Sequence, residues 1–205
     1  MIWDVIKKSG GDIWDEILYL IIFNVIWLLG TTLIIPCPFV TFGLFFTVRD
    51  IGQGKGIKFV TFFAHAYRMW KQAYIWGGIN LLVLVILGIN IKFYAGFANA
   101  GSQWAAFVQI FIWGLTFLWS VVQLVALPLY PRLEKPGFKI AIRNAAILVG
   151  RYPLAIITLV VIALLVLAIS FIFRIVAILL PIAVIPVVAN RMVEAMLERE
   201  LKDET

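Results

Sequence analysis

The feature that most constrains this chain is a series of long apolar tracts. The last tract, residues 153–189, contains Arg174 as its only charged residue. A helix needs about 20 apolar residues to cross about 30 Å of hydrocarbon. The chain as a whole is 63% apolar and 14% charged, whereas soluble domains are about 45–50% apolar and about 25% charged. Because a soluble core of this size cannot bury so much apolar surface, residues 1–205 are predicted to form a single integral membrane domain. The predicted fold is all-α, a polytopic transmembrane helix bundle.

The tracts divide into six predicted membrane segments. The tract 17–48 is too long for one span and contains Pro36 and Pro38, which break the helical hydrogen-bond ladder. The second of its two segments is therefore short, or a half-helix. Arg174 would cost roughly 2.5–3.5 kcal/mol or more at the bilayer centre, so the last tract is predicted to turn there as a hairpin. The predicted segments are residues 17–35, 39–48, 73–91, 104–127, 153–173 and 175–189.

The positions of Lys and Arg predict the orientation. The chain has 17 Lys and Arg; the six-segment arrangement places 15 of them on one side and leaves Lys92 and Arg174 on the other. Membrane proteins collect these residues on the cytoplasmic side. We therefore expect a multi-pass protein of the cytoplasmic membrane with both termini in the cytoplasm. The alternative is a single kinked first segment, five spans and an outside N-terminus, which divides the 17 bases into 13 and 4. The net charge of +6 follows from the same asymmetry, and no nucleic-acid binding is predicted.

Two stretches between the membrane segments have the pattern of interfacial helices. In residues 57–71 and 138–150, apolar residues recur at steps of three and four with basic residues between them. Such helices suit the headgroup region of a membrane that contains anionic lipid. The candidate lipid-contact residues are Lys58, Arg68, Trp70, Lys71, Lys139, Arg143 and Arg151.

The two stretches also suggest an internal repeat. Residues 56–59 resemble residues 137–140, and the first sixteen residues resemble a third, degenerate copy. Three units of interfacial helix plus apolar hairpin would follow, as internal repeats are common in transporters. The alternative is that any polytopic protein alternates basic connections with apolar hairpins.

Polar residues inside the predicted segments form the candidate site. Four of them on the 104–127 segment fall within about 60° of one helical face. Buried polar groups in a bilayer need partners, so this stripe is either one wall of a polar pathway or a hydrogen-bonded seam between helices. The candidate residues are Gln109, Thr116, Ser120, Gln123, Asn24, Thr31 and Asn80.

The chain lacks the residue sets that catalysis and metal binding require. His65 is the only histidine and Cys37 the only cysteine, placed between two prolines. A metal site built from several histidines is therefore excluded within one chain. No acidic or basic side chain is predicted at mid-membrane, which argues against proton-driven transport. We predict no enzyme activity, no cofactor and no metal.

The order of features resembles the YesL-like family, uncharacterised bacterial membrane proteins that share a domain of unknown function. The resemblance rests on Asn24-Val25-Ile26-Trp27, the short helix from Pro38 to Arg49, the aromatic and basic helix 59–71, and residues 140–153. The residues after Pro38 depart from the small residues usual in the family. The resemblance implies no activity, but such proteins often occur beside carbohydrate-uptake systems. The leading hypothesis is thus an accessory or component of solute uptake, working with a transporter subunit or by self-association. The alternative is a membrane scaffold or lipid-interacting protein.

Overall fold

Helices account for nearly all of the described chain. The computed structural model describes residues 1–173 and 181–203, and in this part it contains nine α-helices, one 3-10 turn and no strand. The all-α prediction is confirmed over these residues. The helices are α1 (Ile2–Asp15), α2 (Ile17–Thr32), α3 (Cys37–Gly52), α4 (Phe59–Arg68), α5 (Trp70–Asn99), α6 (Gln103–Leu129), α7 (Phe138–Arg151), α8 (Pro153–Ile172) and α9 (Pro181–Asp203).

The helices follow one another as three units, in the order that a threefold repeat requires. Each unit has an amphipathic helix (α1, α4 or α7) followed by two more helices. One residue joins the amphipathic helix to the next helix in every unit. These joints are Glu16, Met69 and Tyr152, with φ of −115°, −112° and −121°. At Glu16 the chain bends by 86°.

The last helix of each unit lies inside the bundle. These inner helices, α3, α6 and α9, all contact one another. Each amphipathic helix packs on the inner helix of the unit before it: α4 on α3, and α7 on α6. The first helix, α1, packs on α9, so the three units close into a ring. Aromatic rings join α3, α5 and the end of α6, where Phe42 lies 5.8 Å from Trp76 and 5.6 Å from Tyr130 between ring centroids.

The prediction of six membrane segments is not confirmed. Three helical stretches are long and apolar enough to cross a membrane: α5, the stretch Gln103–Arg132 that begins with α6, and α8. A fourth span results if α1 and α2 are counted together as one bent span. The helices α2 and α3 have 16 residues each, or about 24 Å, which is less than the hydrocarbon thickness. The apolar helices are compatible with membrane insertion.

Several predicted boundaries differ from those of the helices. The first segment ends at Thr32 rather than residue 35, because Ile34 adopts a positive φ of 62° in the turn. The second runs through residues 37–52 rather than 39–48, since prolines are tolerated in the first turn of a helix. The third begins at Trp70 and extends to Asn99, about 45 Å in all.

The last predicted segment, 175–189, ends within a helix that continues beyond it. The turn at Arg174 and residues 174–180 lie outside the described residues. Beyond them, α9 continues past residue 189 to Asp203. Met192, Val193 and Met196 are fully buried in the core, so the part of α9 after residue 189 packs within the bundle.

Gly77 permits the closest approach of α5 to α3. A Cβ added there would lie 2.4 Å from Cγ and 2.8 Å from Cβ of Pro38. Because the proline ring cannot rotate away, Gly77→Ala should destabilise the protein by about 1–3 kcal/mol. Thermal unfolding in detergent, followed by tryptophan fluorescence, measures this loss. Gly78→Ala is the matched control, since a Cβ there meets nothing within 4 Å; equal melting temperatures for the two variants would contradict the prediction.

Candidate functional site

Two of the predicted polar residues lie in a hydrogen-bonded seam between α5 and α6. The indole N–H of Trp76 donates to Oε1 of Gln123 at 3.0 Å, and Nδ2 of Asn80 donates to the same oxygen at 3.4 Å. The indole N–H of Trp119 donates to Oδ1 of Asn80 at 3.0 Å. The seam therefore links two amides and two tryptophans across the hairpin. Among the described residues, Nε2 of Gln123 is buried without an acceptor.

The other residues of the predicted stripe bond locally. Thr116 and Ser120 donate to carbonyl oxygens one turn earlier in α6, each at 2.9 Å. Gln109 lies 14 residues before Gln123, or about 21 Å along the helix. Thr31, in α2, donates to Sγ of Cys37 at 3.7 Å. The structure thus does not bring the seven candidate residues together.

Asn24 holds the start of α9. Its Oδ1 accepts the backbone N–H groups of Ile182 at 3.0 Å and of Ala183 at 3.2 Å. The first N–H groups of a helix have no partner within it, and a side-chain oxygen is the usual acceptor. Here the acceptor comes from a helix of another unit, and Asn24 is fully buried.

All seven candidate lipid-contact residues lie on exposed surfaces. In α4, Phe62 and Ala66 are buried, whereas Val60 and Tyr67 are 73% and 75% exposed on the outward face. The ammonium of Lys71 lies 5.6 Å from the ring centre of Trp70. Arg151 forms an exposed ion pair with Glu200. The exposed basic residues near α4 and on α7 are Lys58, Arg68, Lys71, Lys139 and Arg143.

Asn190 joins the three inner helices at one point. It is buried in α9, and its Oδ1 accepts from Nη1 of Arg132 at 2.7 Å. Its Nδ2 donates to the carbonyl oxygens of Pro186 at 3.0 Å and of Phe45, in α3, at 3.4 Å. Arg132, just after α6, also donates to the carbonyl oxygens of Pro128 and Asn190. All three of its acceptors are neutral.

Two further arginines lie on the helices that Asn190 joins. Arg49, in the last turn of α3, follows Phe45 by one helical turn, and Arg191 follows Asn190 directly in α9. Arg191 donates to both oxygens of Asp12 at 2.6 and 2.8 Å and to Glu194 at 3.2 Å. The hydrogen bonds with Asp12 raise the pKa of Arg191 above its ordinary value. We call Arg49, Arg132, Asn190 and Arg191 the arginine junction.

The arginine junction was not among the predicted sites. Its three arginines were counted only among the 15 bases predicted for the cytoplasmic side. A signal was available, because each arginine follows the apolar part of the last helix in its unit. Nearby, His65 in α4 lies 2.7 Å from Oδ2 of Asp50 in α3. Within residues 1–173 and 181–203, no three His, Cys, Asp or Glu side chains are grouped as metal ligands would be.

Comparison with known proteins finds no match to this chain among protein-family models, curated proteins or solved structures.

Proposed function

We propose that this chain is a non-enzymatic, multi-pass protein of the bacterial cytoplasmic membrane that binds anionic lipid and acts as a membrane scaffold. The observation that carries the proposal is the exposed face of each amphipathic helix. In α1, Trp3 and Trp14 are 74% and 77% exposed, with Lys7 exposed beside them. The helices α4 and α7 likewise expose apolar and basic side chains together.

The three faces lie at one end of the bundle. Asp12 of α1 bonds Arg191, and His65 of α4 bonds Asp50 near the end of α3. Phe138, at the start of α7, packs on Trp76 with 4.8 Å between ring centroids. A helix with an aromatic and basic exposed face lies in the headgroup region, and each Lys or Arg near an anionic surface contributes about 1 kcal/mol. Placed in the cytoplasmic leaflet, this end carries most of the bases.

This placement supports a topology with both termini in the cytoplasm. The hairpin of α5 and α6 and the helix α8 would cross the bilayer. The shorter α2 and α3 would enter as a hairpin, and α9 would complete six membrane segments. The exposed side chains of α5 and α8 are largely apolar along their lengths, as contact with lipid requires.

The lipid proposal predicts the effect of removing the bases around α4. The variant Lys58→Gln/Arg68→Gln/Lys71→Gln should lose most of its preference for anionic lipid, because three bases at about 1 kcal/mol each amount to about two orders of magnitude. The protein is reconstituted in vesicles of equal parts phosphatidylglycerol and phosphatidylcholine and extracted in mild detergent. The ratio of the two lipids retained is then measured.

A matched pair of single variants locates the effect. Lys71 and Lys92 are both exposed and both lie in α5, about 31 Å apart along the helix. Lys71→Gln should lower the retained phosphatidylglycerol, and Lys92→Gln should not. Equal lipid ratios for the triple variant and the unmodified protein would refute the scaffold proposal.

A second candidate function is an accessory role in solute uptake, including carbohydrate uptake, as the resemblance to the YesL-like family suggests. The observation that favours it is the exposure of α5, because none of the side chains in its apolar 18-residue stretch is buried. Such a helix offers a surface to a transporter subunit or to a second copy of the chain. Purification from native membranes in mild detergent tests this role: a co-purifying transporter subunit would support it, and retained lipid alone would favour the scaffold.

A further inference from the structure

We propose that Arg49 and Arg132 together bind a phosphate group at the arginine junction. The site lies where the three inner helices meet, and its residues are separate from those of the lipid-contact faces. Each unit of the ring contributes one arginine. Asn190 links the helices that carry Arg49 and Arg132, because its Oδ1 accepts from Arg132 at 2.7 Å and its Nδ2 donates at 3.4 Å to the carbonyl oxygen of Phe45, one turn before Arg49. A Cβ at Gly52 would lie 3.7 Å from Cζ of Arg191, which shows how closely the end of α3 approaches α9.

The charges at the junction are not balanced by the hydrogen-bonding partners described. Arg191 is satisfied by Asp12 and Glu194, so two carboxylates serve one arginine. In the described part of the chain, the acceptors of Arg132 are neutral oxygens of Pro128 and Asn190. Among the described residues, Nε of Arg49 is buried and has no acceptor. A cation removed from water without a paired anion is costly, and a bound anion would remove that cost.

Helix ends explain only part of this arrangement. A cation near the last carbonyl groups of a helix is favourable, and Arg132 makes such a contact with the carbonyl oxygen of Pro128 at 2.6 Å. Arg49 also lies in a last helical turn, yet its buried Nε reaches no carbonyl oxygen in the described part of the chain. A structural role at the helix end therefore accounts for Arg132 better than for Arg49.

The geometry of two guanidinium groups indicates phosphate rather than carboxylate. Each guanidinium presents a planar fork of N–H donors that matches two oxygens of an anion. A carboxylate has two oxygens and can fill one fork, whereas a phosphate group can accept from two forks at once. Arg49 is partly exposed, so a ligand can reach it from outside. The phosphate could belong to a lipid headgroup or to a free solute, and the chemistry at the arginines is the same.

The test measures the response of thermal stability to inorganic phosphate. A ligand at free concentration L that binds only the folded state stabilises it by RT ln(1 + L/Kd), so the melting temperature rises with the logarithm of the ligand concentration once this exceeds the Kd. The protein in detergent is titrated with sodium phosphate, and sodium chloride of equal ionic strength is the reference. We expect phosphate to raise the melting temperature of the unmodified protein. Arg49→Gln should weaken the apparent affinity about tenfold or more, the usual effect of losing a charged hydrogen bond.

Three further variants make the result specific. Arg49→Lys keeps the charge but not the fork, so it should bind with intermediate affinity and also serves if Arg49→Gln does not fold. Lys55→Gln removes an exposed charge after the end of α3 and should respond to phosphate like the unmodified protein. The triple variant of Lys58, Arg68 and Lys71 should keep the phosphate response, so failure of the scaffold proposal would not imply failure of this one.

A second measurement, of bound lipid, identifies the source of the phosphate. Native mass spectrometry counts phosphatidylglycerol molecules bound to the unmodified protein and to the Arg49 variants. Loss of one tightly bound lipid in Arg49→Gln, with no effect of free phosphate, would identify a lipid headgroup. A phosphate response without that loss would identify a free solute. If neither probe distinguishes Arg49→Gln from the unmodified protein, no phosphate site exists at the junction.

Discussion

Replacement of Asn190 by leucine is expected to lower the free energy of unfolding by about 3 kcal/mol. The change removes two hydrogen bonds of Asn190: the one accepted from Arg132 at 2.7 Å and the one donated to the carbonyl oxygen of Phe45 at 3.4 Å. These bonds connect α9 to α3 and to the residue just after α6. For a chain of this length, about 3 kcal/mol corresponds to a fall in Tm of about 6–12 °C. Tryptophan fluorescence during heating in detergent measures it.

A double variant separates the cost of losing the hydrogen bond from the cost of leaving Arg132 without its acceptor. If most of the cost comes from an arginine left without its acceptor, Asn190→Leu combined with Arg132→Met should be less destabilised than the sum of the single variants. Asn90→Leu is the control, because Asn90 is half-buried and its hydrogen bond is to the carbonyl oxygen of Ile86 in its own helix. A Tm for Asn190→Leu equal to that of the control would show that the junction does not stabilise the bundle.

Asn24→Ala is expected to cost about 2 kcal/mol. The backbone N–H groups of Ile182 and Ala183 lose their shared acceptor in a buried place, and an unpaired buried donor is more costly than an exposed one. The readout is local as well as global: hydrogen exchange at the first turn of α9 should speed up more than exchange elsewhere in the bundle. Uniform exchange across the helices would argue against this role of Asn24.

The helices could largely be predicted from the sequence, because their signals are local. Pro36 and Pro38 mark the break between α2 and α3, and the spacing of aromatic residues in 57–71 indicates α4. The predicted segment ended at residue 189, whereas α9 ends at Asp203. Because residues 191–203 include many charged side chains, the apolar spacing of Met192, Val193 and Met196 was not recognised. The number of spans could not be settled by hydropathy, since α2 and α3 are apolar but short.

The candidate site was harder to predict because its contacts join distant parts of the chain. Gln123 and Asn80 were predicted as polar residues inside apolar helices, but only the folded hairpin shows that they bond each other. Asn24 was grouped with the stripe on α6, whereas its partners are 158 and 159 residues away in α9. For the arginine junction, the sequence shows only that each arginine follows an apolar stretch, and the convergence of α3, α6 and α9 is not contained in any one tract.

The closure of the ring between α1 and α9 has a consequence for synthesis of the protein. Arg191 and Asp12 are separated by 179 residues, and Asn24 lies 158 and 159 residues before its partners in α9. Until α9 has been synthesised, Asp12 cannot bond Arg191 and Asn24 cannot hold the start of α9. Contacts between such distant residues form slowly. The ring therefore closes only when the helix Pro181–Asp203 is in place, so the finished bundle depends on the last described helix to be made.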